Sequence, residues 1–229
     1  MITGEQLLDA FAAYNQLIWP MHIIAYVLGV IAVFLAIKKS LWASRVNFGV
    51  LAFFWLWVAL LFWLPSAGQG FTIGYAFMAL FLIEAVLFLI QAVKPGITFG
   101  THNKVQTVAG VTMIFYTMVG YPLIGILVGH NYPQAAFIGL FPCPLTLFTF
   151  GLLLLASSAI PIYLLIVPLF WGLSGVLWIS IGMWEDVGMV LGSLVSIVLI
   201  LRRNKKQKAE EQIKNQEKSS EAWSLNVGE

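Results

Sequence analysis

Charge is what this sequence has least of. Only 10% of its 229 residues are Asp, Glu, Lys or Arg, against roughly a quarter in a soluble domain, and between Val46 and Val93 the single charge is Glu84. A surface so poor in ions excludes water as its main solvent. Cysteine is nearly absent as well, and the lone Cys143 excludes an intramolecular disulfide. One thiol and three histidines are too few to read as a soft-metal cluster, so no metal is assigned. Nor is there an H-E-x-x-H, a G-x-S-x-G or a phosphate-binding glycine loop, so no hydrolytic or nucleotide-binding signature is present and no cofactor is implied.

What is present is apolar and runs long. Hydrophobic residues make up 60% of the chain and the mean hydropathy is +0.91. A helix crossing a hydrocarbon core of about 30 Å needs roughly 20 apolar residues. Seven stretches qualify or nearly do: 17–37, 46–64, 71–93, 107–128, 135–156, 160–181 and 186–201. The breaks carry turn residues or charge, as at Lys38-Lys39-Ser40, Pro65-Ser66-Ala67-Gly68, Lys94-Pro95-Gly96, Asn131-Tyr132-Pro133, Ser157-Ser158 and Glu185-Asp186. Transmembrane strands would alternate over about ten residues, and these runs are continuous. The expected fold is all-α, an integral membrane bundle of about seven transmembrane helices.

Basic residues set the orientation, because cytoplasmic loops collect them. Lys38, Lys39 and Arg45 follow the first run, Lys94 and Lys104 the third, and Arg202, Arg203, Lys205, Lys206 and Lys208 the seventh. Only an odd number of spans puts all of them on one side, with the N-terminus outside and the C-terminus in the cytoplasm. The chain then divides into a transmembrane domain, 1–201, and a charged cytoplasmic tail, 202–229, expected to be a frayed helix or disordered. Residues 1–16 are expected to form an interfacial helix: Thr3 and Gln6 stand at capping-box spacing, Leu7, Leu8 and Phe11 share a side, and Tyr14 and Trp19 suit an interfacial anchor. No cleavable signal is read ahead of the first run. The net charge of +2 reflects these loops, so the partner is the lipid bilayer and not nucleic acid.

Phe141-Pro142-Cys143-Pro144 interrupts the fifth run. Proline removes a backbone donor and pushes the residue before it away from helical geometry. The spacing therefore predicts non-helical backbone at 141–143 and a helix restarting near Pro144. Irregular backbone at membrane depth survives only inside protein or beside a wet cavity, and free amides at the restarted helix would favour an anion. The plainer reading is a packed kink.

Glu84 is the one charge inside a run, where an unpaired carboxylate is costly, and Gln91 lies seven residues on, on the same face. Tyr116 and Tyr121 add polarity to the fourth run, while Cys143, Thr146 and Thr149 recur on one face of the fifth. These seven residues are candidates for a polar path, with His22, His130, Glu185 and Asp186 forming an outer vestibule. The structural alternative is polar glue between helices.

Phe11 through Pro20, Gly120-Tyr121-Pro122-Leu123-Ile124-Gly125 with Gly129-His130-Asn131-Tyr132-Pro133, and Phe141 through Gly151 resemble a prokaryotic membrane family known as domain of unknown function 6064. The similarity covers residues 4 to about 201, is most specific at Pro-Cys-Pro, and leaves out the tail. It implies a multi-span protein of the prokaryotic (inner) cell membrane and assigns no activity. Three functions stay open: a small ion or solute transporter or channel, favoured by the buried carboxylate and broken helix; a membrane-embedded enzyme using Cys143 on a lipid or thiol; and a structural or assembly protein.

Overall fold

The computed structural model describes residues 3–100 and 103–226, and among them the fold is all-α. Eight helices follow one another: α1 Gly4–Leu17, α2 Met21–Ala36, α3 Leu41–Gly68, α4 Gly74–Val93, α5 Lys104–Leu127, α6 Pro142–Leu154, α7 Tyr163–Ile179 and α8 Asp186–Asn226. No strand forms among the described residues; the one β-bridge joins Phe99 to Ala156.

Local chemistry explains most of the boundaries. Thr3 caps α1 as its spacing predicts, its hydroxyl accepting from the Gln6 N–H at 3.3 Å while the Gln6 side chain accepts from the Thr3 N–H at 3.0 Å. Pro20 stops continuation, and the chain turns by 86° between α1 and α2, so the first expected span shrinks to sixteen residues of α2. The expected break at Pro65 lies instead inside α3, which is 28 residues long. A π-helical turn at Val58–Trp63 precedes that proline, and another at Tyr116–Gly120 precedes Pro122 in α5. Widening the turn shifts the hydrogen-bond register, so the missing N–H and the crowded carbonyl are absorbed without ending the helix.

The fifth run breaks, though not where the prolines alone would put it. Phe141 is extended (φ −121°, ψ 146°) and α6 begins at Pro142. The irregular backbone therefore lies ahead of it, over 135–141, and Cys143 is helical. Pro142 at the first helical position loses no bond that the helix would have made. Leu145 to Leu154 are all buried, because α2, α3, α5, α7 and α8 pack around this short helix. A half-length helix thus becomes the axis of the bundle.

Its far end is closed by α8. The Arg203 guanidinium is buried and donates to the carbonyls of Ala156 at 2.7 Å and Leu153 at 3.4 Å, a cation on the carbonyl-bearing end of a helix. Arg203 is a structural cap rather than a free loop charge. Beyond it α8 continues as helix through the charged tail to Asn226.

By length and composition three helices, α3, α4 and α5, can each cross a membrane, or four if the bent α1–α2 pair counts as one span; α6 and α7 are apolar but shorter. Large apolar side chains such as Phe34, Leu89, Phe115, Phe170 and Leu194 are exposed on five helices, an outer surface suited to lipid.

Candidate functional site

Glu84 is fully buried in the bundle, and neither of its oxygens has a partner among the described residues. On α4 it lies between Phe81 and Phe88, both packed on Trp55 of α3. Its expected companions are occupied elsewhere. The Gln91 amide donates to the Tyr163 hydroxyl at 3.2 Å and accepts from the Gly96 N–H. Thr146 and Thr149 turn back onto their own helix, donating to the carbonyls of Pro142 and Leu145 at 2.9 Å, and Thr149 also accepts from the Trp55 indole. These three bond to structure instead of lining a path with Glu84.

The polar groups that do come together lie at the start of α6, around a cavity of about 290 Å³. Helix α1 covers it with Leu7, Phe11 and Tyr14; the π turn of α3 supplies Phe62 and Trp63; α7 supplies Trp171 and Trp178; and the floor is Phe141 to Pro144. Tyr121 and Asp186 complete the lining. Glu84 is not among the lining residues.

Two tyrosines of α5 hold the start of α8. The Tyr116 hydroxyl donates to the Glu185 carbonyl at 2.8 Å, and the Tyr121 hydroxyl donates to Asp186 Oδ1. In a regular α-helix residues five apart diverge around the axis, but the π turn hydrogen-bonds the Tyr121 N–H to the Tyr116 carbonyl, so both rings reach the same dipeptide. Asp186 is 1% exposed, and its Oδ2 has no well-formed partner among the described residues. The Cys143 thiol lies against this carboxyl and beside the Trp171 indole. Nε1 of Trp63, Trp171 and Trp178 also lack well-formed partners.

The four outer residues do not form one exposed vestibule. Glu185 and Asp186 are buried, and Glu185 Oε1 pairs with His130 Nδ1 at 2.9 Å. His22 belongs to a separate junction, where its Nε2 meets Asn15 Oδ1 at 2.8 Å while the Asn15 amide donates to the carbonyls of Pro133 and Ala135 at 2.6 and 2.7 Å. That asparagine, fully buried, ties α1 and α2 to the chain entering α6. Nothing in the sequence singles out Asn15 or Trp63: an amide next to an interfacial Tyr and an aromatic inside an apolar run carry no local signal. Tyr14 likewise points inward, accepting from the Trp57 indole at 2.8 Å and donating to the Leu140 carbonyl at 3.1 Å.

The expectation of an anion at the restarted helix fails on donor count. Of the first three residues of α6, Pro142 and Pro144 have no N–H, leaving only Cys143's, whereas anion sites use several. Asp186 beside it would repel an anion further. Among the described residues no three His, Cys, Asp or Glu side chains gather as a metal site.

A family model described as a family of unknown function (DUF6064) matches residues 4–211, ten residues further into the tail than the resemblance read from the sequence. No curated protein and no solved structure matches the chain.

Proposed function

The chain belongs to that family of unknown function, and we propose that it is a multi-pass membrane protein which binds a small, largely apolar molecule in the cavity between α1 and the start of α6. The single observation carrying this reading is the cavity itself: apolar aromatic walls converge on a buried carboxyl whose Oδ2 has no well-formed partner among the described residues. Binding sites commonly combine apolar walls with a few placed polar groups.

In the proposed topology α2, α3, α4, α5, the segment 135–154, α7 and α8 make seven crossings of a prokaryotic cell membrane, with α1 and the cavity outside. The support is the one-sided placement of lysine and arginine. Irregular backbone at 135–141 then lies inside protein, where such backbone is tolerated.

Transport is less well supported than binding. The transport reading joined Glu84 to the broken helix, and Glu84 does not line the cavity while α6 beyond Cys143 is packed on every side. Thiol catalysis would need an activating base at Cys143. Its neighbours are a carboxyl and an indole, and His22 and His130 are bonded elsewhere.

The test is native mass spectrometry of full-length protein taken from its host membrane, with Ala13→Trp projecting bulk into the cavity from α1 and Ala12→Trp as the control on the same helix. A bound small molecule in the parent and Ala12→Trp, lost in Ala13→Trp, is the expected result. Equal occupancy in all three overturns the assignment.

A further inference from the structure

Building on the binding reading, we infer that the polar head accepted by this cavity is a substituted ammonium cation. Among the described residues Asp186 is the only acid lining the cavity, and no Lys, Arg or His lines it. The other ionisable groups around that carboxyl do not offset it. Tyr121 contributes an O–H to Oδ1, Cys143 a neutral thiol contact, and Glu185 a second carboxyl already paired with His130. Burying an acid with no cation nearby is costly, whereas removing both partners together from water with good geometry is tolerated. A ligand carrying a positive charge supplies the missing partner, directed at Oδ2.

The walls suit the same chemistry. Trp171 meets Trp63 edge-on at 5.2 Å and 66°, and lies at 5.9 Å and 35° to Trp178, so indoles facing different directions border one space. Aromatic faces attract cations through their quadrupole, tryptophan most strongly. A bare primary ammonium is strongly hydrated and would leave that hydration at an apolar wall. Alkyl substitution spreads the charge over an apolar surface, which is why quaternary and tertiary heads suit such cages. The indole N–H groups without well-formed partners among the described residues point the other way, toward an acceptor or anion, so the discriminating variable is the charge of the head.

The experiment uses purified full-length protein in an uncharged detergent, with intrinsic tryptophan fluorescence read against three benzyl probes that differ in the charge of the head. These are benzyltrimethylammonium, its neutral carbon isostere neopentylbenzene, and the anion phenylacetate. The ammonium should bind at least roughly tenfold more tightly than the isostere, with phenylacetate weakest. Asp186→Asn should bring ammonium and isostere to equal affinity without weakening the isostere. Trp178→Leu, at a half-buried position, should weaken the ammonium more than the isostere and supports the inference even if Asp186→Asn does not fold. Tighter or equal binding of the isostere or phenylacetate by the parent overturns the cation assignment and leaves the cavity as a binding site. If none of the three probes binds, both the assignment and the binding reading fall.

Discussion

Glu84→Met asks whether the buried carboxyl of α4 holds the bundle together or weighs on it. Glu84 is 0% exposed, and neither oxygen has a partner among the described residues. A buried polar group left unsatisfied costs about 1–3 kcal/mol, and replacing it by an apolar group of the same shape relieves that cost. Methionine matches the length, carries no group needing a hydrogen bond and adapts to irregular gaps. For a chain of this length about 1 kcal/mol corresponds to about 2–4 °C in unfolding midpoint. The Met variant should therefore gain at least about 2 °C, followed by circular dichroism in detergent. Glu84→Gln retains a polar head in the same place and should stay close to the parent. A midpoint lowered in Met but kept in Gln would refute the reasoning, because it would mean that the head group makes a stabilising bond. The same pair separates binding from transport. On the binding reading, proton flux into reconstituted vesicles is equal in parent and Gln variant, and a loss of pH-dependent flux in Gln alone would return Glu84 to a path.

Arg203→Met leaves the Ala156 and Leu153 carbonyls without their guanidinium and should cost about 1.5–3 kcal/mol; Arg203→Lys should restore only part, since a single ammonium lacks the fork. An unchanged thermal midpoint in Met would remove Arg203 as the cap of α6. In a Cys143→Ala background, single cysteines at Asn131 and Ser40, both exposed positions, should differ toward an impermeant thiol reagent added outside intact cells. Labelling of Asn131 alone is expected, and labelling of Ser40 alone reverses the topology. Asn15→Leu deletes three hydrogen bonds at once and should destabilise by more than about 3 kcal/mol, with Asn15→Asp, which keeps the acceptor toward His22, falling between; a neutral Leu variant would show that the α1 junction is held by apolar packing.

Short-range rules carried much of the fold. The Thr3–Gln6 box and the restart of a helix beside the paired prolines follow from which residues can donate, accept or bend locally, whereas the stop at Pro20 falls inside the first expected run. The same rules misjudged Pro65, placed at a break between runs, whereas Pro122 stood inside the fourth run and stays inside α5. A π turn ahead of each proline changes which carbonyl its ring meets. Nothing in the apolar side chains of Val58 to Trp63 announces that widening. Of the two forms expected for the tail 202–229, frayed helix or disorder, the structure takes helix to Asn226, because continuity with a packed helix propagates structure at little further cost once the nucleus exists.

The site was legible as residue types and illegible as a grouping. Cys143 and Tyr121 were singled out with the polar path and Asp186 with the outer vestibule, because 43 positions, with the whole of α7 among them, separate the thiol from the acid it touches. The weighting of the two carboxylates shows why. Depth within an apolar run made Glu84 look costly, and proximity to a loop made Asp186 look cheap, since that rule measures distance from bulk water along the membrane normal. What desolvates a group is the protein that covers it. Asp186 begins its helix, yet Tyr121 on α5, Trp171 on α7 and the overlying α1 leave it 1% exposed. Glu84 is as deeply covered but by aromatic packing, with no lining role at the cavity. Of these two acids, the one that borders a cavity can meet a ligand with less movement of the core, so Asp186 is where binding chemistry has room to act and Glu84 is where stability should respond.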